Sequence, residues 1–175
     1  AYSYGVELDV KKSLDFIGVP DLSLVFNGAL IKSKVNFDKG DQEKNRPMQG
    51  QSPYIINTGL FYQNSRIGLS AALLYNRIGK RIVGVGRSMG SVDDNVRIPD
   101  SYEMPRNAVD INLSKKIGSH FELKLSVKDL LGESVVFKQF EDGIRLNNGT
   151  VKNAEEVTRC YKPGRNYSLS VTYNF

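Results

Sequence analysis

Apolar residues recur at every second position over most of this chain. Tyr4, Val6, Leu8 and Val10 alternate with Gly5, Glu7, Asp9 and Lys11. The same alternation runs through Leu22, Leu24 and Phe26, through Tyr54, Ile56, Thr58, Leu60 and Tyr62, and through Ile67, Leu69, Ala71, Leu73 and Tyr75. It returns at Val109, Ile111 and Leu113, and again at Phe121, Leu123, Leu125 and Val127. The final stretch, NYSLSVTYNF, sets Tyr167, Leu169, Val171, Tyr173 and Phe175 against Asn166, Ser168, Ser170, Thr172 and Asn174. A period of two is that of a strand whose side chains point alternately to opposite faces. No segment of comparable length has a 3.6-residue apolar repeat with caps, so the chain reads as all-β, an antiparallel meander of about seven strands. Gly5 to Lys12, Leu22 to Phe37 and Arg66 to Arg87 read as strands longer than the usual five or so residues of soluble sheets.

The connections alternate as well. Asp15 to Asp21, Gln63 to Arg66 and Ile117 to His120 are short and rich in Gly, Asn and Ser, whereas Asp38 to Ser52, Ser88 to Arg106 and Glu141 to Arg165 are long and polar. In a meander, alternate connections share an end, so the short turns collect at one end and the long loops at the other. Outer-membrane barrels have that asymmetry, with short periplasmic turns and long extracellular loops. The faces agree: Tyr54, Tyr62, Tyr75, Phe121, Tyr173 and Phe175 fall near strand ends, where an aromatic girdle meets the membrane interfaces. Glu7, Asp9, Asn27, Asn57, Asn76, Asn112, Lys124 and Lys128 occupy the opposite face and suit a watery lumen. The last strand then runs inward from the surface, and Phe175 sits at the periplasmic rim. A soluble lipocalin-like barrel or sandwich has the same alternation; loop sorting, strand length and the aromatic end favour the membrane barrel.

Composition removes other classes. Forty per cent apolar and 25% charged residues with a net charge of +5 are ordinary values, and the basic residues are interspersed with acids, so no nucleic-acid surface is expected. Apolar runs fall far short of the roughly 18 residues of a membrane helix. The single cysteine, Cys160, excludes an internal disulfide. The opening AYSYGVELD has no basic segment followed by an apolar core, so no signal peptide is expected in it.

Several stretches resemble a known family. RPMQGQSPY (46–54) followed by IINTGLFYQN, then LSKKIGSHFELKLSVKDLL (113–131) and YKPGRNYSLSVTYNF (161–175) are similar to the C-terminal barrel strands of TonB-dependent outer-membrane receptors. The resemblance implies a wall section of a 22-stranded barrel that imports a scarce nutrient of the siderophore, cofactor, peptide or glycan class. It also implies that the rest of the barrel, the plug and the contact with the TonB complex lie outside this chain. Seven strands alone leave two unpaired edges, which neither lipid nor water tolerates well. The chain is therefore expected to be the C-terminal portion of a longer barrel or to pair with another chain, in the outer membrane. The resemblance further implies that the barrel-assembly machinery reads the final strand through Tyr167, Ser168, Leu169, Val171, Tyr173 and Phe175, with Ser170 where glycine is common. An exposed strand edge is physically suited to such β-augmentation.

Residues on the long loops that could face a substrate are Arg46, Gln49, Arg97, Tyr102 and Arg145. GVGRSMG (84–90) departs from the dinucleotide fingerprint and reads as a strand-to-loop junction. His120 is the lone histidine, in an expected turn, and Cys160 has no histidine partner nearby in sequence, so no catalytic or metal centre is expected. Asn148-Gly149-Thr150 reads as an Asn-Gly turn, and the pairs Asp93-Asp94 and Glu155-Glu156 as solvated loop charges. No enzyme and no cofactor are expected. The alternatives are a non-transporting barrel that anchors surface loops or a partner, and a soluble barrel with a small apolar ligand.

The face assignment makes a direct prediction. Leu123→Lys or Leu69→Lys, placing a charge on the lipid side, is expected to cost about 2 to 4 kcal/mol in a bilayer, whereas Lys124→Ala should hardly change folding. Unfolding titrations in lipid vesicles check it, and equal effects would undo the assignment.

Overall fold

The computed structural model describes residues 1–38, 45–89, 96–145 and 151–175, with backbone alone at 88–89, 96–97, 141–145 and 151–153. Its strands are β1 (Tyr2–Ser13), β2 (Leu22–Lys34), β3 (Tyr54–Asn64), β4 (Leu69–Ile78), β5 (Arg81–Gly84), β6 (Arg87–Met89), β7 (Val96–Ile98), β8 (Ser101–Glu103), β9 (Asn107–Ile117), β10 (Phe121–Lys128), β11 (Val135–Arg145), β12 (Val151–Tyr161) and β13 (Asn166–Tyr173). A seven-stranded sheet has the order β1-β2-β3-β4-β9-β10-β13, and every neighbouring pair is antiparallel. These are the seven strands that the alternation marks out. The short turns, after β1, β3 and β9, lie at one end and the three long connections at the other.

Register carries each face across the sheet. Leu24, Leu60, Leu73, Ile111, Val127 and Tyr167 are directly opposed from strand to strand, and so are Asp9, Asn27, Asn57, Asn76 and Ala108. Paired residues share a face, so one side is a continuous apolar surface and the other a polar one. Open cavities of about 420 and 300 Å³ lie against the polar side, at Phe61, Ser70, Asn112, Lys124 and Ser170 and at Asn27, Asn57, Asn76 and Asp110. The polar face is thus the concave one. The apolar face is uncovered: Val6 is 74% exposed, Leu30 68% and Leu169 67%. Among the described residues the buried hydrophobic ones, Ile82 and Val135, lie outside the large sheet.

The sheet is open. Among the described residues β1 pairs with β2 alone and β13 with β10 alone, so no closed barrel forms within this chain. Seven alternating strands leave β1 and β13 pointing the same way.

The long connections differ from the expected polar loops. β12-β11-β8-β5 form a second sheet, in the same order as the strands they continue, β13-β10-β9-β4. β6 and β7 form a separate hairpin. Glu141 to Arg165 accordingly holds the end of β11 and all of β12, and the span Arg66 to Arg87, expected as one strand, breaks at the buried Gly79. A Cβ at Gly79 would lie 2.9 Å from Ser52 Oγ and from the Tyr54 ring, so these groups occupy the space a side chain would need. β2 stops at Lys34, after which Val35 bridges Arg46. β13 ends at Tyr173, and the Asn174 N–H donates to the His120 carbonyl at 2.8 Å. Residues 90–95 and 146–150, with Gly90, Asp93-Asp94 and Asn148-Gly149-Thr150, lie outside the described residues.

Register also moves the place where a charge should cost most. Leu69 opens β4, and it and Leu123 flank Lys115 in a row near the short turns. The middle of the apolar face is the Leu60–Leu73–Ile111 row. Leu73→Lys is therefore expected to carry the full cost of about 2 to 4 kcal/mol in a bilayer, with Leu123→Lys falling toward the lower interfacial cost. The same vesicle titrations rank the two.

Candidate functional site

The concave face is organised by amides. Asn76 donates through Nδ2 to Asn57 Oδ1 at 2.6 Å, Asn57 to Asn27 Oδ1 at 3.3 Å, and Asn27 to Glu7 Oε1 at 2.7 Å. This chain of hydrogen bonds crosses four strands and ends on the Glu7 carboxylate, so the three amides all donate in one direction. Further along, Ser126 donates to Asn112 and Ser114 to Glu122, while Lys124 pairs with Glu122 at 3.1 Å. These groups satisfy each other in part and keep free lone pairs and protons for whatever fills the concavity.

A polar knot marks the level at which the strands pass from the large sheet to the small one. Arg77 donates from Nε to the Tyr54 hydroxyl at 3.2 Å and from Nη1 to Asn107 Oδ1 at 2.7 Å, and the Tyr75 hydroxyl donates to the same Oδ1 at 2.8 Å. Asn107 in turn gives its backbone N–H and its amide to the two oxygens of Glu133, at 2.6 and 2.8 Å. Arg106 pairs with Asp129 at 2.8 Å, and the Asp129 N–H donates to Asp110. Asp129 holds a positive φ of 54°, unusual for a side-chain-bearing residue, and turns the chain out of β10. Arg165 closes the knot from the other side, donating to the Leu130 carbonyl.

Above the knot, the RPMQGQSPY segment straps β2 to β5. Gly50, at φ 78°, sits in a turn closed by the Gln51 N–H on the Met48 carbonyl. Gly50 N–H and Gln49 Nε2 reach the carbonyls of Ile82 and Val83 at 2.8 and 3.0 Å, and the Met48 N–H donates to Ser33 Oγ. Ser52, 3% exposed, donates to the Tyr54 carbonyl. The motif is therefore a structural clamp at the foot of the loops.

The candidate substrate residues separate on this frame. Gln49 is engaged in the strap, and Arg46 bridges Val35 and lies over the Phe37 ring at 4.8 Å. Tyr102, on β8, meets Phe140 edge-on at 5.6 Å, and Lys80 Nζ lies 4.7 and 4.6 Å from these two ring centres. Arg97 and Arg145 hold strand positions in β7 and β11, and their side chains lie outside the described residues. All five belong to the long-loop end. Lys80, Arg77, Asn107 and Glu133 carry no sequence signal of their own, since a lone polar residue at a strand end looks like any loop residue.

The final strand exposes Tyr167 (65%), Leu169, Val171 and Tyr173 on the apolar side, with Ser168 and Ser170 on the concave side. Tyr173 packs on Phe121 at 4.9 Å and on Phe175 at 5.0 Å, and stacks on His120, which does stand in the short turn after β9. Cys160 is an exposed free thiol on β12. Glu155 pairs with Lys138 rather than standing alone. Among the described residues no group of three or more His, Cys, Asp or Glu side chains is placed to hold a metal ion.

Comparison of the chain with protein-family models, with characterised proteins and with solved structures found no match.

The two hydrogen bonds from Asn107, its side chain first, hold the Glu133 carboxyl below the ordinary carboxylate range. A carboxylate depressed in the folded state contributes stability above its unfolded pKa and loses it as the pH falls through the folded value. Asn107→Ala is therefore expected to cost about 1–3 kcal/mol at neutral pH. Glu133→Gln should destabilise at neutral pH and match the wild type once acid has protonated Glu133. Denaturant midpoints across that acid range measure both.

Proposed function

We propose that the chain forms a section of the wall of an outer-membrane β-barrel, with its long loops extracellular and its short turns periplasmic. The observation that carries this reading is the sense of curvature, with the polar face concave and the apolar face convex and bare. A soluble barrel places its apolar side chains inside, and would shelter Leu123 and Tyr173, here 38% and 48% exposed. The chain exposes 12285 Å², against roughly 8,600 Å² for a compact monomer of its mass. Outside water, an apolar outer band with aromatic residues near both rims is the surface a bilayer accepts.

The two free edges need further strands from the rest of the barrel, in the same or another polypeptide. Because β1 and β13 run in the same direction, antiparallel closure needs an odd number of them. Within this reading the resemblance of the RPMQGQSPY and terminal segments favours a TonB-dependent transporter of a scarce nutrient, whose plug occupies the concave side and contacts the TonB complex. The exposed edge of β13 suits pairing with the barrel-assembly machinery.

Cys160 is a native reporter of this topology. In intact cells a membrane-impermeant maleimide should label Cys160, on the loop-end sheet. A Ser119→Cys, Cys160→Ser variant, with its thiol in the short turn after β9, should label only after the outer membrane is permeabilised. Labelling of both sites in intact cells, or recovery of the protein in the soluble fraction, would sink the assignment.

A further inference from the structure

Charge on the large sheet is sorted by face. Its carboxylates are Glu7, Asp9, Asp110 and Glu122, and register places all of them on the concave side. The convex side carries only cations, Lys12, Lys32, Lys34, Arg77 and Lys115, each near one end of its strand. At the short-turn rim Lys115 donates to the Ile67 carbonyl and Lys12 lies over the Phe16 ring at 5.9 Å. At the loop-end rim Arg77 is held in the polar knot. Lys32 and Lys34 differ: among the described residues neither makes an ion pair or a hydrogen bond. Ser33, between them, turns to the strap and accepts the Met48 N–H, so both lysines share the opposite, convex face. They stand roughly 7 Å apart along one strand. Tyr4 lies opposite Lys32 and Tyr2 opposite Lys34, and the two rings stack at 6.0 Å. The next rung inward pairs Val6 with Leu30, both exposed. This column therefore sets cations and phenols at the rim and bare hydrocarbon immediately below.

We infer that Lys32 and Lys34 bind the phosphate of an anionic lipid in the leaflet at the loop end, with its acyl chains lying along Val6 and Leu30. The inference rests on the wall assignment and names the lipid that this part of the wall selects. A lone lysine at a rim needs no ligand, because its long stem lets the ammonium reach water. Two lysines at alternate positions repel each other, and with no carboxylate on their side of the sheet an anion between them relieves the repulsion. The Tyr2 and Tyr4 hydroxyls add donors at the same level. A free anion would satisfy the charges and leave Val6 and Leu30 bare. A zwitterionic headgroup brings its own cation to a rim that already has two. An anionic lipid meets both halves of the column, and its interface is where charged side chains on a lipid face cost least.

Native mass spectrometry of the full-length protein, released from neutral-detergent micelles that hold equal amounts of phosphatidylglycerol and phosphatidylcholine, tests it. The wild type should retain phosphatidylglycerol in preference. Lys32→Gln and Lys34→Gln should each lower that preference about fivefold, the effect of one lysine at an anionic membrane surface. A Lys32→Arg, Lys34→Arg variant should keep the preference, and Lys124→Gln, on the concave side, should leave it unchanged. Equal retention of the two lipids by the wild type, or an unaltered preference in the Lys32→Gln, Lys34→Gln double variant, would overturn the inference. Glycerol phosphate, which has the charge without the chains, should fail to displace the lipid. Its displacing the lipid at equimolar amounts would rule out a lipid as the occupant. Unchanged gel-filtration elution of the variants keeps misfolding apart from lost charge. Labelling of Cys160 reads the wall assignment separately: the expected labelling without a lipid preference removes this site alone, and labelling that contradicts the wall removes both.

Discussion

Register is the constraint on which the rest of this molecule depends. Seven strands are paired residue against residue from β1 to β13, so a side chain's face is settled by its partners across the whole sheet. A slip of one residue in any pair would turn that strand's leucines into the concavity and its serines and asparagines outward. The amide chain from Asn76 to Glu7 needs this alignment, because each link joins residues on neighbouring strands. So does the unbroken apolar band. Hydrogen bonds on one face and the gathering of apolar side chains on the other therefore select the same pairing.

The second organising feature is the break that divides each of the last four strands of the large sheet from its continuation above. The strand order is kept across it, β4-β9-β10-β13 below and β5-β8-β11-β12 above, so the upper sheet grows out of the lower one. Chain direction changes at Gly79, at 104–106, at the left-handed Asp129 and at 162–165. Changes of direction free backbone groups, and those groups need partners. Glu133 and Asp110 accept the N–H groups of Asn107 and Asp129 on their carboxylates, and the Arg165 guanidinium donates to the Leu130 carbonyl, while Tyr54 and Tyr75 present rings to the apolar side and hydroxyls to the knot. A tyrosine near a strand end thus serves two environments at once, as amphipathic rings do at a boundary between oil and water. The strap at 46–54 then ties β2 to β5 and gives the upper sheet a fixed foot.

Much of this was legible in the chain itself, for a simple reason. A period of two is a local property, so Leu123, Leu125 and Val127 announce both a strand and its apolar face without any knowledge of their neighbours. The sorting of short and long connections follows from strand order along the chain, and gave both ends of the sheet. β11 and β12 were not legible: VVFKQFEDGIR runs three apolar residues together, and VKNAEEVTRCY is mostly polar, so neither alternates. They become strands because each finds the other, and because β11 also pairs with β8. RPMQGQSPY was visible as a motif, yet its work as a clamp depends on the carbonyls of Ile82 and Val83, more than thirty positions away.

By itself, then, the sequence determined that the chain is a set of antiparallel strands with one oily and one polar side, because side-chain alternation is written into consecutive residues. Which side is concave could not be read there. Curvature arises from twist, from crowding of side chains on each face and from pairing among strands distant in sequence, and these exist only once the sheet is assembled.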